Sequence, residues 1–233
     1  MDNSYKNIFI VGLIGDSIEC IIQQPFYGYK NLKQIGVKLE RFQHLYRGLW
    51  GNIFTQSCLV ISQMSGYKYF VEKTECGDLG KLGISGGLGF ITGFFFSPLE
   101  LWSIRKQQKL SWFHDRKLYR GAFNMGMRET CYSTGLLTIM PMISKLTQEK
   151  WGFKNEILSS LVAGCISGLI SHPFDTIKSY NQSQITDNYK KLKYNPFKCS
   201  LYKGLLFRMY RISGSYFILD YCNRKIFEMV SEK

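Results

Sequence analysis

The sequence predicts an all-α membrane protein, with six transmembrane helices in three pseudo-symmetric two-helix repeats around a central cavity. Three observations predict it. Residues 82–99 and 157–174 carry no charged side chain when His172 is neutral, and residues 48–67 are also uncharged. Eighteen residues of helix, at ~1.5 Å each, reach about 27 Å, the thickness of a bilayer core. Next, Pro25-Phe26, Pro98-Leu99 and Pro173-Phe174 are each followed nine residues later by a glutamine (Gln34, Gln107, Gln182). Each is then followed by an aromatic-basic-glycine triplet, Tyr46-Arg47-Gly48, Tyr119-Arg120-Gly121 and Tyr202-Lys203-Gly204. Finally, the basic residues concentrate in the three loops that such a repeat creates. The mean hydropathy of −0.12 does not oppose this reading, because a bundle around a water-filled path carries polar residues on its inner faces.

The elements follow in order, with repeats expected over residues 1–73, 79–149 and 154–230 and one domain overall. Residues 8–15 are apolar, and Asp16 and Glu19 follow them where a signal peptide would have a small-residue cleavage site, so no N-terminal leader is expected. Each odd-numbered helix has small residues ahead of its proline: Gly12 and Gly15; Gly86, Gly87, Gly89 and Gly93; Ala163, Gly164 and Gly168. Spacing such as Gly89/Gly93 and Gly164/Gly168 lets membrane helices approach backbone to backbone. Pro25, Pro98 and Pro173 should kink or end their helices, since proline lacks the N–H and its ring collides with the preceding turn. Each triplet leads into a second helix-length segment, 49–72, 122–149 and 205–229.

Thirty Lys+Arg against 17 Asp+Glu give a net charge of +13, and such a chain needs an anionic partner or surface. Apolar content of 45% and aromatic content of 15% exclude a disordered basic tail. Residues 30–47, 105–120 and 178–203 hold 17 of the basic residues against only Glu40, Asp115 and Asp187. The charge therefore reads as a topology and headgroup signal rather than a nucleic-acid footprint, and no nucleic-acid partner is expected. Seven scattered cysteines without a CxxC pair argue against disulfides and metal. His44, His114 and His172 are isolated and read as loop or interface residues. There is no nucleophile-base constellation and no glycine-rich phosphate loop, so neither an enzyme nor a cofactor is expected.

With these markers on the page, the chain resembles the mitochondrial carrier family, whose signature is Pro-x-acid-x-x-basic at the end of each odd helix. Pro173-Phe174-Asp175-Thr176-Ile177-Lys178 followed by Gln182 matches it fully; Pro98-Leu99-Glu100 keeps the acid but has Ser103 at the basic position; Pro25-Phe26-Tyr27 lacks the acid and keeps Lys30. The resemblance covers nearly the whole chain, which is short for the family. It implies a monomeric antiporter of small anionic metabolites, nucleotides or amino-acid-like solutes, that works by alternating access in the mitochondrial inner membrane with both termini in the intermembrane space. Host mitochondria are implied if the source is viral. The resemblance also implies a matrix gate of Lys30, Glu100, Asp175 and Lys178 braced by Gln34, Gln107 and Gln182. In that gate Lys30 would pair with Glu100, Asp175 would face Ser103, and Lys178 would face Tyr27, a weaker arrangement than three ion pairs.

The family's cytosolic ionic pattern is not found at Tyr67-Lys68, Met140-Pro141 and Cys222-Asn223, which implies a resting bias toward the cytosol-open state. Family contact points for substrate fall on Thr55, Gln56, Arg128, Glu129 and Arg211, with Arg208 on the same face. An Arg-acid pair at the middle point resembles carriers of amino-acid-like solutes, while three arginines suit phosphate. Arg47, Gly48, Arg120, Gly121, Lys203 and Gly204 resemble the family's cardiolipin sites. Two other classes remain: a carrier-fold membrane protein without transport activity, and a soluble basic nucleic-acid-binding protein.

Overall fold

A computed structural model describes residues 3–35, 42–74, 76–107, 118–119, 121–152, 155–183, 202 and 204–231. Among them the chain is all-helical. We name the helices α1 (residues 3–35), α2 (Leu49–Thr74), α3 (Asp78–Phe95), α4 (Ser97–Gln107), α5 (residues 122–151), α6 (Glu156–Ser183) and α7 (Leu205–Ser231). Two helices are interrupted by a π turn, α1 at Val11–Gly15 and α5 at Gly135–Ile139. Pro25 and Pro173 lie inside continuous helices. At Pro98 the break is sharper: α3 and α4 meet at 56°, with Phe96 as the C-cap between them.

The helices close into a ring through short polar and glycine-mediated contacts. Between α1 and α2, Ser57 Oγ donates to Asp16 Oδ2 at 3.0 Å and Asn52 Nδ2 to Gln24 Oε1 at 3.1 Å. Between α2 and α3, Gln63 Nε2 donates to Thr92 Oγ1 at 3.1 Å. The α3–α5 contact is close: a Cβ at Gly93 would lie 2.8 Å from Glu129 Cβ and 3.1 Å from Gly126 Cα, and one at Gly89 2.5 Å from the Glu129 carbonyl. Gly164 does the same for α6 and α7, where a Cβ would come 2.5 Å from Ser213 Cα. The ring closes between α7 and α1 through Ser215 Oγ, which donates to Glu19 Oε1 at 2.6 Å, and through Phe26 against Tyr210. Of the small residues singled out in the sequence, Gly89, Gly93, Gly164 and Gly168 thus lie in packing faces, whereas a Cβ at Gly87 would meet nothing within 4 Å.

Polarity is distributed inside out relative to a protein in water. Buried side chains include Gln23, Gln24, Asn52, Gln63, Glu100, Arg128, Asp175, Lys178 and Arg208, while Ile14, Ile22, Leu79, Phe95, Ile157 and Ile170 are exposed. Burying ions while leaving isoleucines outside is unfavourable in water and natural in lipid. By length and composition, two helices can cross a membrane, Tyr5–Tyr29 and Glu156–Ser179, and the bent pair Asp78–Phe95 with Ser97–Ile104 is a third if counted as one span. That is fewer than the six expected. Among the described residues, α2 is uncharged from Leu49 to Tyr67 yet buries Asn52, Thr55, Gln56, Ser57 and Gln63. That polar stripe makes it less apolar than the two helices above.

Candidate functional site

The three aromatic-basic-glycine triplets mark helix starts. Gly48, Gly121 and Gly204 have φ of 76°, 79° and 84°, a left-handed conformation that a side chain would strain. Each glycine carbonyl receives the first amide of the following helix, from Asn52 at 2.9 Å, Met125 at 3.0 Å and Arg208 at 3.2 Å. Gln24 Nε2 ties the first of these turns to α1 through the Leu45 and Arg47 carbonyls at 3.3 and 3.4 Å. Arg120 and Lys203 lie outside the described residues. The end of the ring where α2, α5 and α7 begin is called the inner end below.

Close to the inner end, five charged residues from four helices form one buried cluster. Glu100 Oε1 of α4 accepts from Lys178 Nζ at 2.5 Å, Arg128 Nη1 at 2.6 Å and Tyr27 Oη at 3.3 Å. Asp175 Oδ1 lies 2.9 Å from Arg208 Nη1, 3.6 Å from Arg128 Nη1 and 3.7 Å from Lys178 Nζ. Arg128 also ion-pairs with Glu129, and Arg208 Nη2 donates to Ser171 Oγ at 2.8 Å. Glu100, Asp175 and Lys178 are at most 1% exposed. Such a cluster holds only when the geometry satisfies each charge, because a lone ion at this depth is strongly disfavoured.

This cluster corrects the expected pairing. Lys178 goes to Glu100 and Asp175, whereas its expected partner Tyr27 donates to Glu100 as well. Asp175 meets Arg208, and Ser103 Oγ donates instead to the Gly48 carbonyl at 3.4 Å. A buried carboxylate draws the nearest cations, and Arg128 of α5 and Arg208 of α7 supply them together with Lys178. Among the described residues this group is thus densely ionic. Lys30, Gln34, Gln107 and Gln182 lie on α1, α4 and α6, but their side chains are outside the described residues.

Above the cluster a cavity of about 20 Å³ is lined by Glu19, Gln56, Arg128, Glu129, Arg211 and Ser215, among others. Of the expected substrate contacts, Gln56, Arg128, Glu129, Arg208 and Arg211 meet here. Thr55 does not: its hydroxyl donates to the Gly51 carbonyl of its own helix at 2.8 Å. Arg211 lies over the Tyr27 ring, 4.6 Å from its centroid. Two acids that sequence reading passed over also belong to this region. Asp16 and Glu19 sit one turn apart on α1 with Cys20 Sγ 3.8 and 3.7 Å from them. Their position in an apolar helix was the available signal, since ionisable residues at membrane depth are functional candidates by default.

One to two helical turns further out lies a second cavity of about 340 Å³, bordered by Met64, Leu136, Pro141, Ser144 and Leu219. At its rim Arg224 ion-pairs with Glu156 and, at 2.9 Å, with Asp220. This α6–α7 link is an ionic contact where none was expected, because the pattern was sought at Cys222-Asn223 and the pair is offset from it. Between the two cavities the Tyr132 and Tyr216 rings pack at 5.2 Å, with Tyr216 Oη donating to the Tyr132 carbonyl at 2.8 Å. His172, expected in a loop or interface, is fully buried within α6. No protein-family model matches the chain, and no curated protein matches it.

Proposed function

We propose that this chain is a transmembrane transporter that exchanges small anionic metabolites by alternating access, in the manner of the mitochondrial carriers its repeats resemble. One observation carries the reading. A ring of helices holds a small charged cavity bordered on one side by the Glu100–Lys178–Asp175–Arg128–Arg208 cluster, and a second cavity of about 340 Å³ lies further out beyond the Tyr132–Tyr216 pair. Breakable ion pairs closing one end of the ring, with open space toward the other, support one of the two states that alternating access requires. The basic composition of the three loops supports an anionic leaflet at the inner end, the matrix face if the membrane is the mitochondrial inner membrane, with cardiolipin at the three glycine turns. On this reading the conformation described is the cytosol-open one, the protein works as a monomer, and no cofactor takes part.

Retention of the protein in the pellet on carbonate extraction, together with exchange of labelled nucleotides or amino acids into loaded liposomes, tests this. Extraction into the soluble fraction overturns it in favour of a basic soluble protein. Folded, membrane-embedded protein that moves neither class of solute overturns transport and leaves a carrier-shaped membrane protein without that activity.

A further inference from the structure

The charged cavity and the wide one differ in what they can hold. At about 20 Å³ the first has room for about one or two waters, whereas the second, at about 340 Å³, is of the size that small-molecule sites have. Among the described residues none borders both. On α5 the small cavity ends at Tyr132 and the wide one begins at Leu136, one turn further out; on α7 the change falls between Ser215 and Leu219. The layer between them holds the Tyr132 and Tyr216 rings, 5.2 Å apart. Tyr216 is fully buried and packs with Met140, Ala163 and Ile212, against which Tyr132 and Leu136 also lie. Its phenol donates to the Tyr132 carbonyl at 2.8 Å. Gly135, the first residue of the π turn in α5, makes room for that phenol, since a Cβ there would collide with Tyr216 Oη and Ser167 Oγ. The link from α5 to α7 at this level is therefore one ring contact and one neutral hydrogen bond, which can break without separating any ion pair.

We propose that Tyr132 and Tyr216 form a second barrier, between the wide cavity and the charged residues, and that a solute entering from the outer face reaches Gln56 and Arg211 only after the two rings have parted. This rests on the transport reading above. The conformation described is then open from outside as far as the tyrosine pair and shut beyond it. The two tyrosines control admission of the solute, and they present ring faces and no charge to it, although the site behind them is charged.

The test compares two single cysteines in protein whose native cysteines are replaced by serine: Ser144→Cys at the wide cavity and Ser215→Cys at the small one. A small impermeant methanethiosulfonate is applied to the outer face of liposomes holding the full chain. The thiol at 144 should react at least tenfold faster than the thiol at 215. Because Glu19 beside position 215 also slows a thiol, the reading is the change on removing a ring. Tyr216→Ala should speed labelling at 215 at least tenfold and leave labelling at 144 unchanged, and Tyr216→Phe, which keeps the ring and loses the hydrogen bond, should speed it less. A pair that only braces α5 against α7 would lower Tm in Tyr216→Ala without changing the rate at 215, and that result overturns the barrier. Equal labelling at 144 and 215 with both tyrosines in place overturns it as well. Either outcome leaves the transport reading standing when the wild-type liposomes exchange labelled nucleotides or amino acids; folded wild-type protein that exchanges neither overturns both. If Tyr216→Ala does not fold, Tyr132→Ala removes the facing ring and is read in the same way.

Discussion

Glu100→Gln is the most demanding probe of the inner cluster. The substitution keeps the shape of the side chain and removes the charge that Lys178, Arg128 and Tyr27 share at 2.5, 2.6 and 3.3 Å. Glu100 is 1% exposed, so water cannot replace the missing carboxylate. Removing one member of a buried, hydrogen-bonded ion pair costs about 3–5 kcal/mol, and the amide oxygen retained by glutamine places the loss near the lower figure. About 3 kcal/mol corresponds to a drop in Tm of about 6–12 °C for a chain of this size. If the cluster forms only when the inner end is shut, the same energy shifts the closed-to-open ratio about 100-fold at about 1.4 kcal/mol per tenfold. The assays are thermal melting in detergent and labelling of a cysteine introduced at Ser97 by an impermeant maleimide applied from the inner face. Labelling should rise sharply in Glu100→Gln. The double variant with Lys178→Gln should melt above the sum of the two single losses, since removing both partners leaves less charge unmatched. A Tm within about 2 °C of wild type, with labelling unchanged, would refute the idea that Glu100 holds this end closed.

Glycine substitutions along α3 should separate packing faces from lipid faces. Gly93→Ala places a Cβ 2.8 Å from Glu129 Cβ and should lower Tm clearly, whereas Gly87→Ala meets nothing within 4 Å and should leave Tm unchanged or slightly raised. Gly121→Ala, at φ 79°, should destabilise by about 1–2 kcal/mol through left-handed backbone strain, read as a lower Tm. A cysteine at Ser144, on the border of the wide cavity, should react with impermeant maleimide from the outer face in the resting protein; reaction from the inner face alone would contradict the outward-open state. Arg224→Gln should barely change Tm, because the pair is about one-third exposed and screened. It should nevertheless speed exchange if the Arg224–Glu156 link has to break during turnover, and an unchanged rate argues against that role.

Much of the architecture was legible because it repeats. A left-handed glycine at a helix start has few sequence substitutes, so Gly48, Gly121 and Gly204 could be aligned by eye, and the uncharged runs around Gly89 and Gly164 located two packing faces. The identity of Glu100, Asp175 and Lys178 as a buried group was legible as well. Their partners were not. Spacing along one helix says which face a residue occupies, whereas the choice between Tyr27 and Glu100 for Lys178 depends on how six helical columns approach one another. Asp16 and Glu19 were read only against a cleavage signal, although their depth in an apolar helix marked them. Arg224 was passed over because a fixed motif frame was laid on α7, and its partner Glu156 comes from the start of α6.

The π turns at Val11–Gly15 and Gly135–Ile139 alter what a deletion would do. A π turn accommodates one residue more than the α-helix around it. Every side chain beyond it is thus rotated by about 100° from the face that uninterrupted 3.6-residue spacing would assign. Shortening α1 by one residue inside Val11–Gly15 can be absorbed by converting the turn to ordinary helix, with the pairing of Asp16 to Ser57 and of Glu19 to Ser215 undisturbed on one side and Asn3–Ile10 reseated on the other. The same deletion a few residues later, between Glu19 and Pro25, has no such slack and would swing those carboxylates out of the cavity. The outer halves of α1 and α5 are in this sense indexed separately from their inner halves, and length changes in the two parts should have unequal consequences.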